Sequence, residues 1–96
     1  MARGPEAKIE DRSRKAARAR GWKFYKITSP GMNGMPDRLM IRRGWHVWIE
    51  FKAPGKKPTK QQLHRHAELR TAGAEVHVID SYNTMLGLLD DLDDFE

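Results

Sequence analysis

The chain of 96 residues contains no cysteine, which excludes disulfide bonds, thiolate metal sites and a cysteine nucleophile. A chain without cysteine suits a reducing compartment. No stretch approaches the about 20 apolar residues of a membrane span, and the N-terminal residues lack the apolar segment of a signal peptide. We therefore expect a cytoplasmic protein that has no membrane partner.

A phosphate-binding loop of the Walker type is also missing. Gly55-Lys56-Lys57 has neither the upstream glycine nor the following serine or threonine of that motif, so no nucleotide cofactor is expected. The four histidines do not form a metal-binding pattern. His64 and His66 are two residues apart on a predicted helix and do not face together, which disfavours a histidine zinc site.

Acidic residues are scarce outside the C-terminal end. Five of the 13 acids lie in residues 90–96, which contain no base, so the other 89 residues carry 18 bases against 8 acids. A basic body of this size favours a polyanionic partner, with nucleic acid as the first candidate. The alternative is that lysine and arginine only keep a small protein soluble. We expect the acidic end to be frayed.

The hydrophobic pattern predicts one α/β domain over residues 1–96, with the element order α-β-β-β-α-β-α. The predicted strands cover residues 22–27, 37–41, 45–52 and 75–79, and the predicted helices cover residues 5–20, about 60–72 and about 82–92. The third strand, the second helix and the fourth strand form a crossover of the length that a parallel pair needs. We therefore predict a mixed four-stranded sheet flanked by helices.

The third predicted strand, residues 45–52, has one apolar face and ends in charged residues. Because side chains alternate along a strand, Glu50 and Lys52 share the other face. A short hairpin brings this strand end next to Asp37, at the start of the second strand. Two carboxylates at that position form a hard-oxygen site suited to Mg²⁺ or Mn²⁺, and the backbone carbonyl of Phe51 would be a further ligand.

Lys52 has two possible roles beside such an ion. It could orient or deprotonate an attacking water, or it could neutralise the negative charge that develops on a phosphodiester. Neighbouring carboxylates favour the charged lysine and hence the electrostatic role. The alternative is an ordinary ion pair between Glu50 and Lys52 at the edge of a sheet, with Asp37 as a turn acid. The motif Glu-x-Lys alone is too weak to exclude it.

The full series of motifs is more specific. Gly34-Met35-Pro36-Asp37 followed by Ile49-Glu50-Phe51-Lys52 resembles the PD-(D/E)xK nuclease superfamily. Thr59-x-x-Gln62, with Gly73 eleven residues later, narrows the resemblance to the VRR-NUC (virus-type replication-repair nuclease) domain, over roughly residues 5 to 80. This resemblance implies a restriction-endonuclease-like core and a DNA endonuclease that depends on Mg²⁺ or Mn²⁺. For the small stand-alone phage type it implies a homodimer that acts on branched DNA such as Holliday junctions.

The resemblance also assigns roles to individual residues. Asp37 and Glu50 match the metal-binding acids of the family, and Lys52 matches its catalytic lysine. A glutamate on the first helix completes the family site, and Glu6 is the better match by its distance from the end of that helix. Glu10, one turn further on the same stripe, is the alternative and would add an acid where the family often has glutamine.

Gln62 matches the helix glutamine that lies near the site in this family. The residue types also fit a capping box, in which Gln62 would bond back to the backbone of Thr59. The resemblance favours the role at the site, so we predict that Gln62 is catalytic and leave the capping role as the alternative.

Basic residues near the predicted site are candidates for contacts with DNA phosphates. Lys56, Lys57 and Lys60 follow the catalytic strand directly and are the best placed. A solvated basic face explains a second group equally well: Arg12, Lys15, Arg42 and Arg43.

Two alternatives concern the whole molecule. The apolar face of the last helix is either a dimer seam or ordinary core. The function is either that of a nuclease or that of a non-catalytic, basic nucleic-acid-binding domain with a nuclease-like fold.

Overall fold

A computed structural model describes residues 4–95 of the chain. It contains α1 (Pro5–Ala19), β1 (Lys23–Lys26), β2 (Arg38–Arg42), β3 (Trp45–Phe51), α2 (Lys60–Thr71), β4 (Glu75–Ile79) and α3 (Tyr82–Asp93). The predicted order α-β-β-β-α-β-α is therefore confirmed, as is the α/β fold with a mixed four-stranded sheet. Between residues 4 and 95 no helix is long and apolar enough to cross a membrane.

The sheet has the strand order β1-β2-β3-β4. The first two pairs are antiparallel, and β3 pairs with β4 in parallel through the crossover helix α2. A two-residue turn joins β2 to β3, and both of its residues have positive φ, 51° at Arg43 and 81° at Gly44. Such turns match the twist of a hairpin and fix its register.

One face of the sheet carries the apolar core. Val47, Ile49 and Phe51 of β3 lie in one buried cluster with residues of α1 and α3. The apolar side chains of α3 belong to this cluster: Met85, Leu88, Leu89 and Leu92. The core interpretation of the last helix is therefore the right one, because its apolar face is already buried inside the chain.

The opposite face of the sheet meets α2. Thr59 caps this helix, as the sequence predicted, and the Gln62 side chain completes a capping box, which was the alternative for that residue. The loop before β2 also lies tightly against the helix, since a Cβ added at Gly34 would be 2.6 Å from the carbonyl oxygen of Gln61. Gly34 has a φ of +83°, which glycine tolerates at little cost. The Gly-Met-Pro-Asp motif is thus fixed between the sheet and α2.

The expected fraying of the acidic end is wrong for residues 90–93. Helix α3 continues through Asp93. Two arginines near the β2–β3 turn bind its carboxylates. Arg20 Nη1 lies 2.7 Å from Asp90 Oδ1, and Arg42 Nη2 lies 2.7 Å from Asp93 Oδ1. These ion pairs hold the end of the helix in place. Glu96, the last acid of the run, lies outside the described residues.

Candidate active site

The register of the β2–β3 hairpin determines where the first two acids lie. Arg38 is paired with Ile49, so one further step places Asp37 directly opposite Glu50. Opposite residues of an antiparallel pair have Cβ atoms about 4.5–5.5 Å apart and point to the same face. The hairpin therefore brings together two carboxylates that are 13 positions apart in the sequence.

Helix α1 adds a third carboxylate to this end of the sheet. A cleft of about 160 Å³ separates the start of α1 from the ends of β2 and β3. Its lining consists of Glu6, Ala7, Glu10, Asp37, Arg38, Glu50 and Phe51. Three of the predicted metal ligands (Glu6, Asp37 and Glu50) thus surround one small space, together with Phe51, whose backbone carbonyl is the fourth.

Arg38 distinguishes the two candidate acids of the first helix. Its Nε donates to Glu10 Oε1 at 3.2 Å, and Arg14 binds the other oxygen of Glu10 at 3.4 Å. Glu10 therefore lies in the cleft with both oxygens engaged by arginines. No hydrogen bond or ion pair engages Glu6 among residues 4–95. This arrangement favours Glu6 as the acid that completes the site.

Glu50 has the most unusual environment of the three acids. It is only 7% exposed, and its Oε1 atom is buried without a hydrogen-bond partner in the described part of the chain. Burial raises the pKa of Glu50 from its ordinary value of 4.5 to about 7; the charges of Asp37 and Glu6 act in the same direction, and Lys52 and Arg38 oppose them. A carboxylate held in this way is stabilised by any cation that enters the cleft.

Lys52 lies directly after β3, and its backbone N–H continues the parallel pairing by donating to Ile79 at 2.9 Å. Alternation along the strand places its side chain on the face of Glu50. Its charge is the largest influence that lowers the pKa of Glu50. The sequence motif Glu-x-Lys thus corresponds to two charged groups that interact at the end of the strand.

Gln62 is the third residue of α2 and completes the capping box with the N-cap residue Thr59. Its side-chain Oε1 accepts from the backbone N–H of Thr59 at 2.9 Å, and its own N–H donates to Thr59 Oγ1 at 3.1 Å. The capping alternative thus describes how this side chain is held. The contact engages the oxygen of the side-chain amide, so it does not consume the two hydrogens of the amide nitrogen.

The candidate DNA contacts divide into two groups. Lys56 and Lys57 are exposed in the loop that follows β3, and Lys60 is the exposed first residue of α2, so all three follow the strand that carries Glu50. The structure does not bring the hairpin arginines to the site: Arg42 pairs with Trp45 at the opposite end of the β2–β3 hairpin. Arg42 also binds Asp93 and the carbonyl oxygen of Arg20.

The donor set suits a hard cation, although residues 4–95 contain no preformed cluster of three metal-binding side chains. Mg²⁺ keeps several of its waters and usually takes only one or two carboxylates together with substrate phosphate. Asp37 and Glu50, which share a face, supply that number. The buried, unpaired oxygen of Glu50 further fits a site in which a cation supplies the missing countercharge.

Two residues of this region were not predicted from the sequence to lie at the site. Arg38 follows Asp37 directly, and its Nη1 lies 2.9 Å from Asp37 Oδ2, so it is a countercharge inside the cleft. His66 is fully buried, and its Nε2 lies 3.5 Å from Glu50 Oε1. The sequence contains one signal for His66: it follows Gln62 by four residues and therefore lies on the same face of α2.

Comparisons with known proteins agree with this architecture. No model of a known protein family matches the chain. Over 58 residues, 59% of the chain, it is 50% identical to a protein named "Putative nuclease p44" from Acyrthosiphon pisum secondary endosymbiont phage 1. The match spans 62% of the length of that phage protein. A solved structure described as "VRR_NUC domain" has a TM-score of 0.85 and 28% identity, over 92% of this chain and 97% of that one.

The structural match extends over nearly the whole of both chains, and the sequence match leads to a phage protein. Both agree with the resemblance carried by the Gly-Met-Pro-Asp and Glu-Phe-Lys motifs. The chain therefore has the fold of a VRR_NUC domain, with a restriction-endonuclease-like core, and it is similar in sequence to a phage protein.

Proposed function

We propose that the protein is a metal-dependent DNA endonuclease that cuts branched DNA such as Holliday junctions. The observation that carries the proposal is the hairpin register, which sets Asp37 opposite Glu50 with Lys52 on the same face. The similarity to a phage protein named as a nuclease and to a VRR_NUC structure supports cleavage of nucleic acid as the reaction class. Neither of these two names specifies a metal or the shape of the DNA.

Mg²⁺ or Mn²⁺ held by Asp37, Glu50 and Glu6, with the Phe51 carbonyl as a further oxygen, would polarise the phosphodiester and make a water molecule a better nucleophile. Lys52 supplies the fixed positive charge beside these acids. In the proposed reaction its ammonium group stabilises the negative charge that builds up on the phosphate oxygens. A lysine aimed at developing charge contributes to the rate and not only to substrate binding.

Gln62 can act in the same reaction while its side chain keeps the capping hydrogen bond. Its Oε1 atom is held by the backbone of Thr59, which fixes the position of the side-chain amide at the start of α2. The amide nitrogen then remains to donate to a phosphate oxygen or to the attacking water. We propose that the capping box positions Gln62 for this role, so the two interpretations of the residue are compatible.

The DNA strand would cross the acid-lined end of the sheet. On one side of the acids, Lys56, Lys57 and Lys60 offer exposed ammonium groups to the phosphates. On the other side, a shallow groove of about 320 Å³ begins at Asp37 and follows the loop before β2. Its lining includes Lys26 and the polar side chains Thr28, Ser29 and Asn33. A strand that passes over Asp37 and Glu50 would thus meet basic or polar groups in both directions.

A homodimer would explain why branched DNA is the proposed substrate. Two-fold symmetry sets two identical sites in a fixed relation, as paired cuts in a four-way junction require. Sedimentation of the pure protein should therefore show a dimer at the concentrations at which it cuts junctions. A monomer that makes symmetric paired cuts would remove the dimer from the proposal and leave the chemistry intact.

The direct test is cleavage of defined DNA. Pure protein should be incubated with a four-way junction, a duplex of the same sequences and a single strand, each with Mg²⁺, with Mn²⁺ and with chelator. We expect metal-dependent cuts, most rapid in the junction. Equal rates on junction and duplex would remove the preference for branched DNA, and the absence of metal-dependent cleavage of every substrate would remove the nuclease proposal.

The second candidate function is a basic nucleic-acid-binding domain without catalysis, favoured by the excess of 18 bases over 13 acids. Calorimetric titration with Mn²⁺ separates the two functions, because a pure binder has no need of the ion. Binding of DNA without binding of Mn²⁺ would favour this second function.

A further inference from the structure

His66 is the most unusual buried side chain outside the proposed ligand set. It is 0% exposed in the middle of α2, and within residues 4–95 neither of its ring nitrogens has a hydrogen-bond partner. Buried polar side chains are nearly always hydrogen-bonded, so each exception calls for an explanation. An apolar residue of similar size would fill the same space without this cost.

Glu50 lies next to His66 and has a buried acceptor atom that lacks a hydrogen-bond donor in the part of the chain that the structure describes. Glu50 Oε1 is also buried without a hydrogen-bond partner, and it lies 3.5 Å from His66 Nε2. A hydrogen bond between nitrogen and oxygen is typically 2.7–3.2 Å long. A displacement of roughly half an ångström, well within the reach of a glutamate side chain, would therefore satisfy both atoms at once.

Burial lowers the pKa of His66, and the cations Arg70 and Lys52 act in the same direction. An imidazole that carries a proton on Nε2 can donate a hydrogen bond through that atom in its neutral and in its charged form. Glu50 offers only acceptors when it is ionised, so the proton on Nε2 is the one that gives a bond between the two residues.

We propose that His66 is a positioning residue for the metal site: its ring donates Nε2–H to Glu50 Oε1 and thereby directs Oε2 into the cleft. This role rests on the proposed metal-dependent function. Glu50 lines the cleft, and of its two oxygens only Oε1 is both buried and without a hydrogen-bond partner among the described residues, which leaves Oε2 as the oxygen for a cation. His66 itself does not touch the substrate or the ion.

Two properties follow from this arrangement. A carboxylate with one oxygen fixed by a hydrogen bond has fewer orientations to lose when it binds a cation, so the affinity for the ion increases. Gln62 and His66 are four residues apart, so a single helix face would position both the side-chain amide and the metal-binding carboxylate. The register of α2 on the sheet would then control the geometry of the site.

The test uses three substitutions of His66 in the whole chain. His66→Leu fills the space and removes the donor, His66→Gln places an amide nitrogen near the position of Nε2, and His66→Asn places its amide nitrogen short of Glu50. His64→Leu is the control, because His64 is an exposed histidine on the same helix. The measurements are the Mn²⁺ dissociation constant from calorimetry at pH 8 without DNA, and the melting temperature without metal.

We expect His66→Leu to weaken Mn²⁺ binding by roughly 10- to 100-fold, the usual effect of losing the hydrogen-bond partner of a metal ligand. Its melting temperature should stay equal or rise, which a loss of structure would not produce. His66→Gln should restore affinity to within a few-fold of wild type, and His64→Leu should leave it unchanged. If His66→Leu does not fold, the difference between the Gln and Asn variants carries the same test.

Wild-type affinity in His66→Leu would overturn the role of His66 while leaving the metal site in place. Equal losses in the Gln and Asn variants would also overturn it, because the donor position would then be irrelevant. Absence of Mn²⁺ binding by the wild type is a different result, since it would overturn the proposed function together with the role of His66.

Discussion

The carboxylates at the two ends of the sheet lie in opposite environments. At the end that carries the β2–β3 turn, Arg42 binds Asp93 at 2.7 Å, and this hydrogen bond lowers the pKa of the carboxyl group. At the other end Glu50 is buried with an unpaired oxygen, and its burial raises its pKa to about 7. Both ends combine carboxylates with basic residues, so composition alone does not distinguish them.

The difference shows what each end contributes. Paired charges at the turn end hold α3 against α1 and the hairpin, and they leave little for a ligand to gain. The carboxylates at the other end are brought together by the fold at a cost to its stability, and a divalent cation would relieve that cost. The turn end is thus structural, and the acid end is the candidate site of chemistry.

The largest effect that would distinguish the two ends is on the rate of cleavage. Lys52→Ala should lower the rate by roughly 10²- to 10⁴-fold, because it removes the positive charge beside the reacting phosphate. Its fold and its affinity for DNA should remain close to those of wild type. Lys23→Ala, an exposed lysine on β1 near the turn end, is the matched control and should cut normally. Cleavage by Lys52→Ala at the rate of the control would show that Lys52 has no catalytic role.

The next largest effect concerns the two acids of α1. Glu6→Gln should weaken Mn²⁺ binding by roughly tenfold or more, because it removes a carboxylate that no arginine among residues 4–95 engages. Glu10→Gln should change the affinity less, since Arg38 and Arg14 already engage that residue. Titration calorimetry of the two variants makes the comparison directly. A greater loss in Glu10→Gln would reverse the assignment.

The raised pKa of Glu50 predicts a dependence of stability on pH. Between about pH 4.5 and 7 the folded protein keeps a proton that the unfolded chain has lost, so the free energy of unfolding should fall as the pH rises. Each pKa unit corresponds to about 1.4 kcal/mol, so the shift from 4.5 to about 7 gives a loss of roughly 3–4 kcal/mol by pH 8 without metal. Glu50→Gln should remove this slope and unfold at a higher denaturant concentration at pH 8. A slope that persists in Glu50→Gln would assign it to another group.

At the turn end the corresponding change should destabilise the fold. Arg42→Ala removes the hydrogen bond to the carbonyl oxygen of Arg20 and the packing of the guanidinium over Trp22. We expect it to lower the free energy of unfolding by about 1–2 kcal/mol, with unchanged Mn²⁺ affinity. Denaturant unfolding and calorimetry of the same sample test both parts. A loss of Mn²⁺ binding in this variant would contradict the division between the two ends.

The smallest effect should be on DNA affinity. Replacing both Lys56 and Lys57 with alanine removes two exposed charges beside the acid end, and it should weaken DNA binding uniformly across sequences. The slope of log affinity against log salt should become shallower by about one to two. Filter binding at several salt concentrations measures it. An unchanged slope would place the DNA elsewhere on the protein.

The sequence predicted the fold and the acid pair because both depend on local signals. The Thr59 cap, the positive-φ turn before β3 and the alternation along β3 each specify their own segment. Once the hairpin is predicted, its register sets Asp37 opposite Glu50 without further information. The catalytic roles came from the family resemblance and stay predictions.

What the sequence did not predict depends on how separate elements dock. The contact between His66 and Glu50 arises only when α2 packs on the sheet, and a helical pattern alone does not specify that. The acidic end looked frayed because its partner arginines lie 51 and 73 positions away in the chain. In both places a long-range charge or polar contact determined the outcome.

The central claim is that the acid end of the sheet binds a divalent cation through Glu50. The most direct measurement is a calorimetric titration of wild type and Glu50→Gln with Mn²⁺ at pH 8, with Arg42→Ala as the control from the turn end. The predicted result is saturable binding by wild type and by Arg42→Ala, and no binding by Glu50→Gln. Equal binding by wild type and Glu50→Gln, or no binding by either, would contradict the claim.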